Sequence, residues 1–300
     1  VANLPTAKCI LPAHINRLLL PAVTAIQPDR LKRQAAQLAE HFADPPVYVH
    51  ELHQLLDYYA DRVRRPGQAG RPAPLTPAYN VRPPVLRALL AALLPRLQAD
   101  PQNGLALCDA LWEQPYLEFR MLAILLLGQA APDPPEAIVQ RIKSWIIPAL
   151  ELQLIESLLS LGVERLHREC PMVLLQLIQQ WLENTQPFYQ QLGLRALLPF
   201  INNPAFENLP VFFRLITPLC QSAPSGLRAD LLDVLAALAR RSPQETAYFL
   251  RQVLAYPDAP DTPWLIRQSL NEFPPEIQAG LRSALRAVER RPAANRSRPR

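Results

Sequence analysis

The sequence predicts an all-α protein, a solenoid of paired antiparallel helices, and three observations carry that expectation. Apolar residues recur at helical spacing in segments of about 12 to 17 residues separated by short breaks rich in Pro, Asp, Asn or Ser. Most of the 34 prolines fall at the starts of those segments, where a missing N–H costs nothing. Only 8 glycines occur in 300 residues, and no long stretch alternates apolar with polar side chains, so hairpins and sheet are disfavoured.

The stripes and the start signals are independent of each other. Leu174, Leu177, Ile178 and Trp181 follow an i, i+3, i+4, i+7 pattern, and Leu227, Leu231, Val234 and Leu238 follow i, i+4, i+7, i+11. Ser242-Pro243-Gln244-Glu245 reads as an N-cap serine, a proline at the first helical position and a capping-box glutamate; Asp133-Pro134-Pro135-Glu136 repeats the arrangement with aspartate. Helix pairs are expected over 101–130, 133–167, 171–201, 205–241 and 243–272, with a last helix over 275–290. A unit of roughly 30 to 37 residues with two helices and no strand is the period of HEAT-like α-solenoids, in which one short pair cannot bury its own apolar faces and neighbours must stack. Such stacking leaves a curved groove lined by one helix of each pair.

Ahead of these pairs, 28–43 and 47–63 read as two more helices. The expected organisation is an N-terminal helical cap over 1–64, a proline-rich link over 65–84, a HEAT-like body over 85–290 and a disordered basic tail over 291–300. With 49% hydrophobic and 19% charged residues, the body has enough apolar material for a continuous core. The net charge of +5 is placed unevenly: from Arg282 onward seven arginines face Glu289 alone, giving +6 and leaving −1 for everything before it. The tail is therefore either a solvated end or a phosphate-binding arm.

Cys9, Cys108, Cys170 and Cys220 are far apart and form no C-x-x-C pair, which points to a reduced, cytoplasmic protein. No apolar run is long enough to span a bilayer and no signal peptide is recognisable. His41, His50 and His53 lie close together, but no carboxylate or cysteine completes a metal set, so no metal is expected. No cofactor is expected either, because no phosphate-cradling glycine loop or nucleophile elbow is present.

At Asn80-Val81-Arg82-Pro83-Pro84-Val85-Leu86-Arg87, and again from Asp109-Ala110-Leu111-Trp112 through Glu118-Phe119-Arg120-Met121-Leu122-Ala123, the chain resembles the DNA alkylation repair family. Pro84, Arg87, Leu111, Trp112, Glu118, Arg120 and Ala123 match that family's pattern, with Asn80 standing where glycine is usual, and the resemblance covers about residues 46 to 255. It implies a HEAT-repeat DNA glycosylase that removes alkylated purines from duplex DNA. In such chemistry a carboxylate stabilises the oxocarbenium character of the departing sugar, indole faces attract the cationic lesion, and basic residues hold phosphates. The resemblance places Glu156 at the catalytic carboxylate, Leu152 one turn earlier at a lesion-facing tryptophan, Gln191 at a phosphate-contacting arginine and Asp233 at a second tryptophan. Only the carboxylate is kept in kind.

Read from the residues themselves, Glu156 is either an ordinary surface glutamate or a groove acid. Arg195, Arg228, Arg240, Arg241 and Arg267 all fall in second helices or at their ends, where a basic track for duplex nucleic acid would be built. The four tryptophans read as core, and Glu118 and Arg120 as structural. Three functions stay open: an alkylpurine glycosylase of weak or absent activity, a non-catalytic duplex-nucleic-acid binder, and a protein-binding HEAT-like scaffold.

Overall fold

The computed structural model describes residues 27–61 and 76–290; the expectations for the first 26 residues, most of the link and the 291–300 tail lie outside them. Every regular element among the described residues is helical, with no strand. By internal contact the chain divides between Arg165 and Leu166 into two compact units.

The first unit contains α1 (Pro28–Leu38), α2 (Pro45–Tyr59), α3 (Pro83–Ala99), α4 (Pro101–Trp112), α5 (Leu117–Leu127), α6 (Pro135–Trp145) and α7 (Leu152–Ser157). A π-turn, Leu158–Gly162, continues α7, and α8 (Glu164–Glu169) carries the division. Two rows form, solenoid-like, in chain order: α1, α3, α5 and α7 with its π-turn pack one on the next, and α2 packs on α4. α4 and α6 are joined by the stacked indoles of Trp112 and Trp145, 4.4 Å between centroids. The second unit repeats the scheme with α9 (Pro171–Leu182), α10 (Pro187–Ile201), α11 (Leu209–Gln221), α12 (Arg228–Arg241), α13 (Pro243–Ala255), α14 (Thr262–Ser269) and α15 (Pro275–Glu289). Here α9, α11, α13 and α15 make one row and α10, α12 and α14 the other. Fully buried Leu, Ile and Phe side chains, such as Leu107, Phe119, Leu197, Phe212 and Leu238, fill the space between rows, as the apolar stripes require.

Proline explains most of the boundaries. α1, α2, α3, α4, α6, α9, α10, α13 and α15 each begin on one, where its fixed φ suits the first turn. The exceptions, Pro95, Pro199 and Pro218, lie close to helix C-termini, where a lost N–H disturbs least. α3 starts on Pro83, inside the segment read as link.

The caps differ from expectation. Asp44 and Asp100 do cap, accepting from Val47 N at 3.3 Å and Asn103 N at 3.1 Å. Ser242 occupies the N-cap of α13 without a side-chain cap bond; its carbonyl receives the amide and the hydroxyl of Thr246, at 3.0 and 2.8 Å, its amide donates to the Leu238 carbonyl at 2.8 Å, and Glu245 lines a groove. At α6 the N-cap is Pro134, already extended, which leaves Asp133 one residue too early to cap. The second half of the 133–167 pair is also broken, by the π-turn. There the Leu161 carbonyl lies so close to Gly128 that a Cβ on Gly128 would sit 1.9 Å from it.

Candidate nucleic-acid interface

On α7 the apolar face, Leu154, Ile155 and Leu158, is buried, which turns Leu152, Glu156 and Ser160 outward at i, i+4 and i+8. Leu152 is 51% exposed and Glu156 is exposed one turn later. Ser160 Oγ donates to the Glu156 carbonyl at 2.7 Å, just where the helix widens into the π-turn. The ridge is thus a solvated carboxylate beside an aliphatic side chain. Its own helix supplies no aromatic face for a cation, and water screens the carboxylate's field.

In the second unit the five arginines do share one row, at α10, α12 and α14, but most are engaged by neighbouring repeats. Arg195 Nε donates to Asp230 Oδ1 at 2.8 Å, and Asp230 is 9% exposed. Arg228 donates to Asp261 at 3.2 Å and to the Ala223 carbonyl at 3.1 Å, with its guanidinium 4.6 Å over the Trp264 ring. Arg241 donates to the carbonyls of Phe200 and Ile201, at 3.1 and 2.8 Å, and to that of Phe206, so it closes the C-terminus of α10 and the loop beyond. Arg240 faces Glu272 at 3.8 Å with most of its side chain in solvent, and Arg267 is exposed. Gln191 donates to the Gly226 carbonyl at 2.9 Å, and Asp233 is exposed. Replacing Arg241 by alanine is expected to cost about 3 kcal/mol, because three carbonyls lose a charged donor at once, whereas Arg240→Ala should stay within about 0.5 kcal/mol. Urea unfolding of the two variants checks this; equal stabilities would refute it.

A periodic signal in the sequence went unread. Arg141 grips Asp109 with two bonds, 2.9 and 2.6 Å, at a separation of 32 residues, and the Arg195–Asp230 and Arg228–Asp261 pairs are 35 and 33 apart. Each separation is one repeat, so opposite charges recurring at the repeat length mark contacts between adjacent units.

The motif residues build the entry to the first repeats. Glu118, 5% exposed, accepts from Tyr79 N at 3.0 Å and Val81 N at 3.4 Å, while Leu117 N donates to the Pro77 carbonyl at 2.8 Å. Asn80, between the two bound amides, has φ of 56°, a left-handed conformation that glycine adopts freely and asparagine better than most. That accounts for asparagine where glycine is usual. Arg120 donates to the Gln114 carbonyl at 3.2 Å and lies over Trp112.

Every one of the three clustered histidines meets a protein partner: His41 with Glu51, His50 with Gln54, and His53 with the Tyr79 hydroxyl at 2.7 Å. Burial and contact with Tyr116 push the Tyr79 phenol up to about 12. Burial likewise raises the thiols of Cys108 and Cys220 well above the usual range, which keeps them protonated and unreactive. Among the described residues no group of three or more His, Cys, Asp or Glu side chains is placed to hold a metal, and no helix is long and apolar enough to cross a membrane.

Compared with known proteins, residues 53–273 match a family model described as DNA alkylation repair enzyme. No curated protein and no solved structure matches the chain. The family match spans well over half the length and includes both motif segments, with their glutamate-bound turn at Tyr79–Val81 and the left-handed Asn80. The chain therefore belongs to the DNA alkylation repair enzyme family.

Proposed function

We propose that this protein holds duplex DNA on the outward faces of its second helices and releases alkylated purines weakly or not at all. The observation that carries the reading is the exposed Leu152–Glu156–Ser160 ridge, a carboxylate with leucine one turn before it and no indole on its own helix. Loss of one cation–π contact forfeits about 0.5 to 2 kcal/mol of any preference for a cationic lesion, and glutamate, one methylene longer than the aspartate the family resemblance implies at this place, displaces the charge further. The phosphate contacts are assigned to Arg240 and Arg267, whose side chains reach solvent. Arg195 and Arg228 would first have to leave Asp230 and Asp261.

Single-turnover release of 7-methylguanine or 3-methyladenine from methylated duplex tests the chemistry. Slow release that disappears in Glu156→Gln, or none from either protein, is expected; fast release unaffected by the substitution sinks the assignment of Glu156. Binding to unmodified duplex should weaken with salt, log K falling by about 0.9 per phosphate contact for each log unit. Arg240→Ala with Arg267→Ala should make that slope shallower by about two contacts, while Arg195→Ala should change it little.

A second reading, a protein-binding scaffold, is favoured by the ion pairs that neutralise Arg195 and Arg228. No duplex binding even at low salt would select it.

A further inference from the structure

In the second unit α11 and α13 lie side by side, and their outward side chains enclose an apolar groove of about 490 Å³. Phe213 and Phe249 stack along it, 4.9 Å between centroids and 22° from parallel. Pro210 and the 59%-exposed Tyr248 flank them, and Gln244, Glu245 and Gln252 complete the lining.

Two properties restrict what fits. An exposed tyrosine and a half-buried phenylalanine set beside a proline form the kind of surface on which proline rings of an extended segment pack, with side-chain amides nearby for its backbone. The single charge in the lining is the Glu245 carboxylate, which has no ion-pair partner among the described residues. It stands in the first turn of α13 at the edge of an apolar surface, so the matching ligand brings a cation next to a proline.

The chain itself supplies that chemistry. From Arg291 it reads Arg-Pro-Ala-Ala-Asn-Arg-Ser-Arg-Pro-Arg, with two Arg-Pro steps, four arginines and no acid. This stretch follows α15 directly, and α15 packs against α13. Ten extended residues reach about 33 Å, longer than the roughly 20 Å of the helix, α13, that forms one wall of the groove. We propose that residues 291–300 dock in this groove of their own chain, an Arg-Pro step setting its proline on the Tyr248 and Phe213 rings and its arginine on Glu245. Docking withholds the most basic segment of the protein from phosphates, so groove occupancy and nucleic-acid binding compete for the same arginines. The proposal does not depend on excision activity or on the second-helix arginines.

The test uses the full chain with photoreactive benzoylphenylalanine replacing Gln252 at the groove's edge. Irradiation of dilute protein should link position 252 to peptides from 291–300 of the same chain. Glu245→Gln should reduce the yield about ten-fold, the effect of one charge-assisted hydrogen bond, as should Arg291→Ala combined with Arg298→Ala. Since the arginine substitutions fall in none of the described helices, they keep the test decisive if Glu245→Gln lowers the helical circular dichroism. Links to residues 62–75, links only between two chains, no link at all, or a yield indifferent to both sets of substitutions would each overturn the proposal.

Discussion

Replacing Gly128 by alanine should lower the unfolding free energy by about 3 kcal/mol, at the upper end for one added methyl group in a packed interior. The new Cβ would lie 1.9 Å from the Leu161 carbonyl oxygen and 2.9 Å from its carbon, and both are backbone atoms that no rotamer change moves aside. The constraint is space alone, because Gly128 has a right-handed φ of −65° that any residue adopts. Arg165 N also donates to the Gly128 carbonyl at 3.1 Å and Gln129 Nε2 to Glu164 at 3.0 Å, so the displaced π-turn carries the start of α8 with it. Gly280, on the exposed side of α15 with nothing within 4 Å of where a methyl group would stand, is the contrasting site, where alanine should add about 0.5 to 1 kcal/mol. Denaturant melts of the two variants give the comparison; similar stabilities for both would refute the close approach at Gly128.

The second large effect is expected at Glu118. Alanine there removes a buried carboxylate and leaves the amides of Tyr79 and Val81 without their acceptor, at a cost of about 3 kcal/mol. The loss should be local before it is global. Amide exchange at Tyr79 and Val81 should speed up by at least about ten-fold while protection in α5 and α10 changes less. Unchanged protection at those two amides would show that the Leu117–Pro77 backbone bond alone holds the segment.

How far the sequence could be read follows from whether each feature is local. Helix positions were legible because apolar period and first-turn prolines are written within each segment, and helices such as Pro171–Leu182 and Pro187–Ile201 fall inside their expected pair. The π-turn was not, since Leu158-Leu159-Ser160-Leu161-Gly162 continues a helical apolar pattern and differs only through its approach to Gly128, some thirty residues away. The capping box failed at Ser242 for a competitive reason: the serine amide already donates to the Leu238 carbonyl at 2.8 Å, closing α12, and Glu245 turns to the groove. At the candidate interface the sequence placed the five arginines in one row but could not separate the half-buried grips on neighbours from the more exposed side chains. Arg241 and Arg240 are adjacent in sequence, yet one binds three carbonyls and the other, mostly exposed, only faces Glu272 at 3.8 Å.

The arginine–aspartate pairs at one-repeat intervals act as clasps between adjoining repeats. Arg195 meets Asp230 on the next second helix, and Arg228 meets Asp261 on the one after, so each second helix in this stretch offers an acid to the helix before it or an arginine to the helix after it. Each clasp fixes the register of one repeat against the next, so an insertion or deletion of a few residues between two partners would leave both charges of a pair facing the wrong turn.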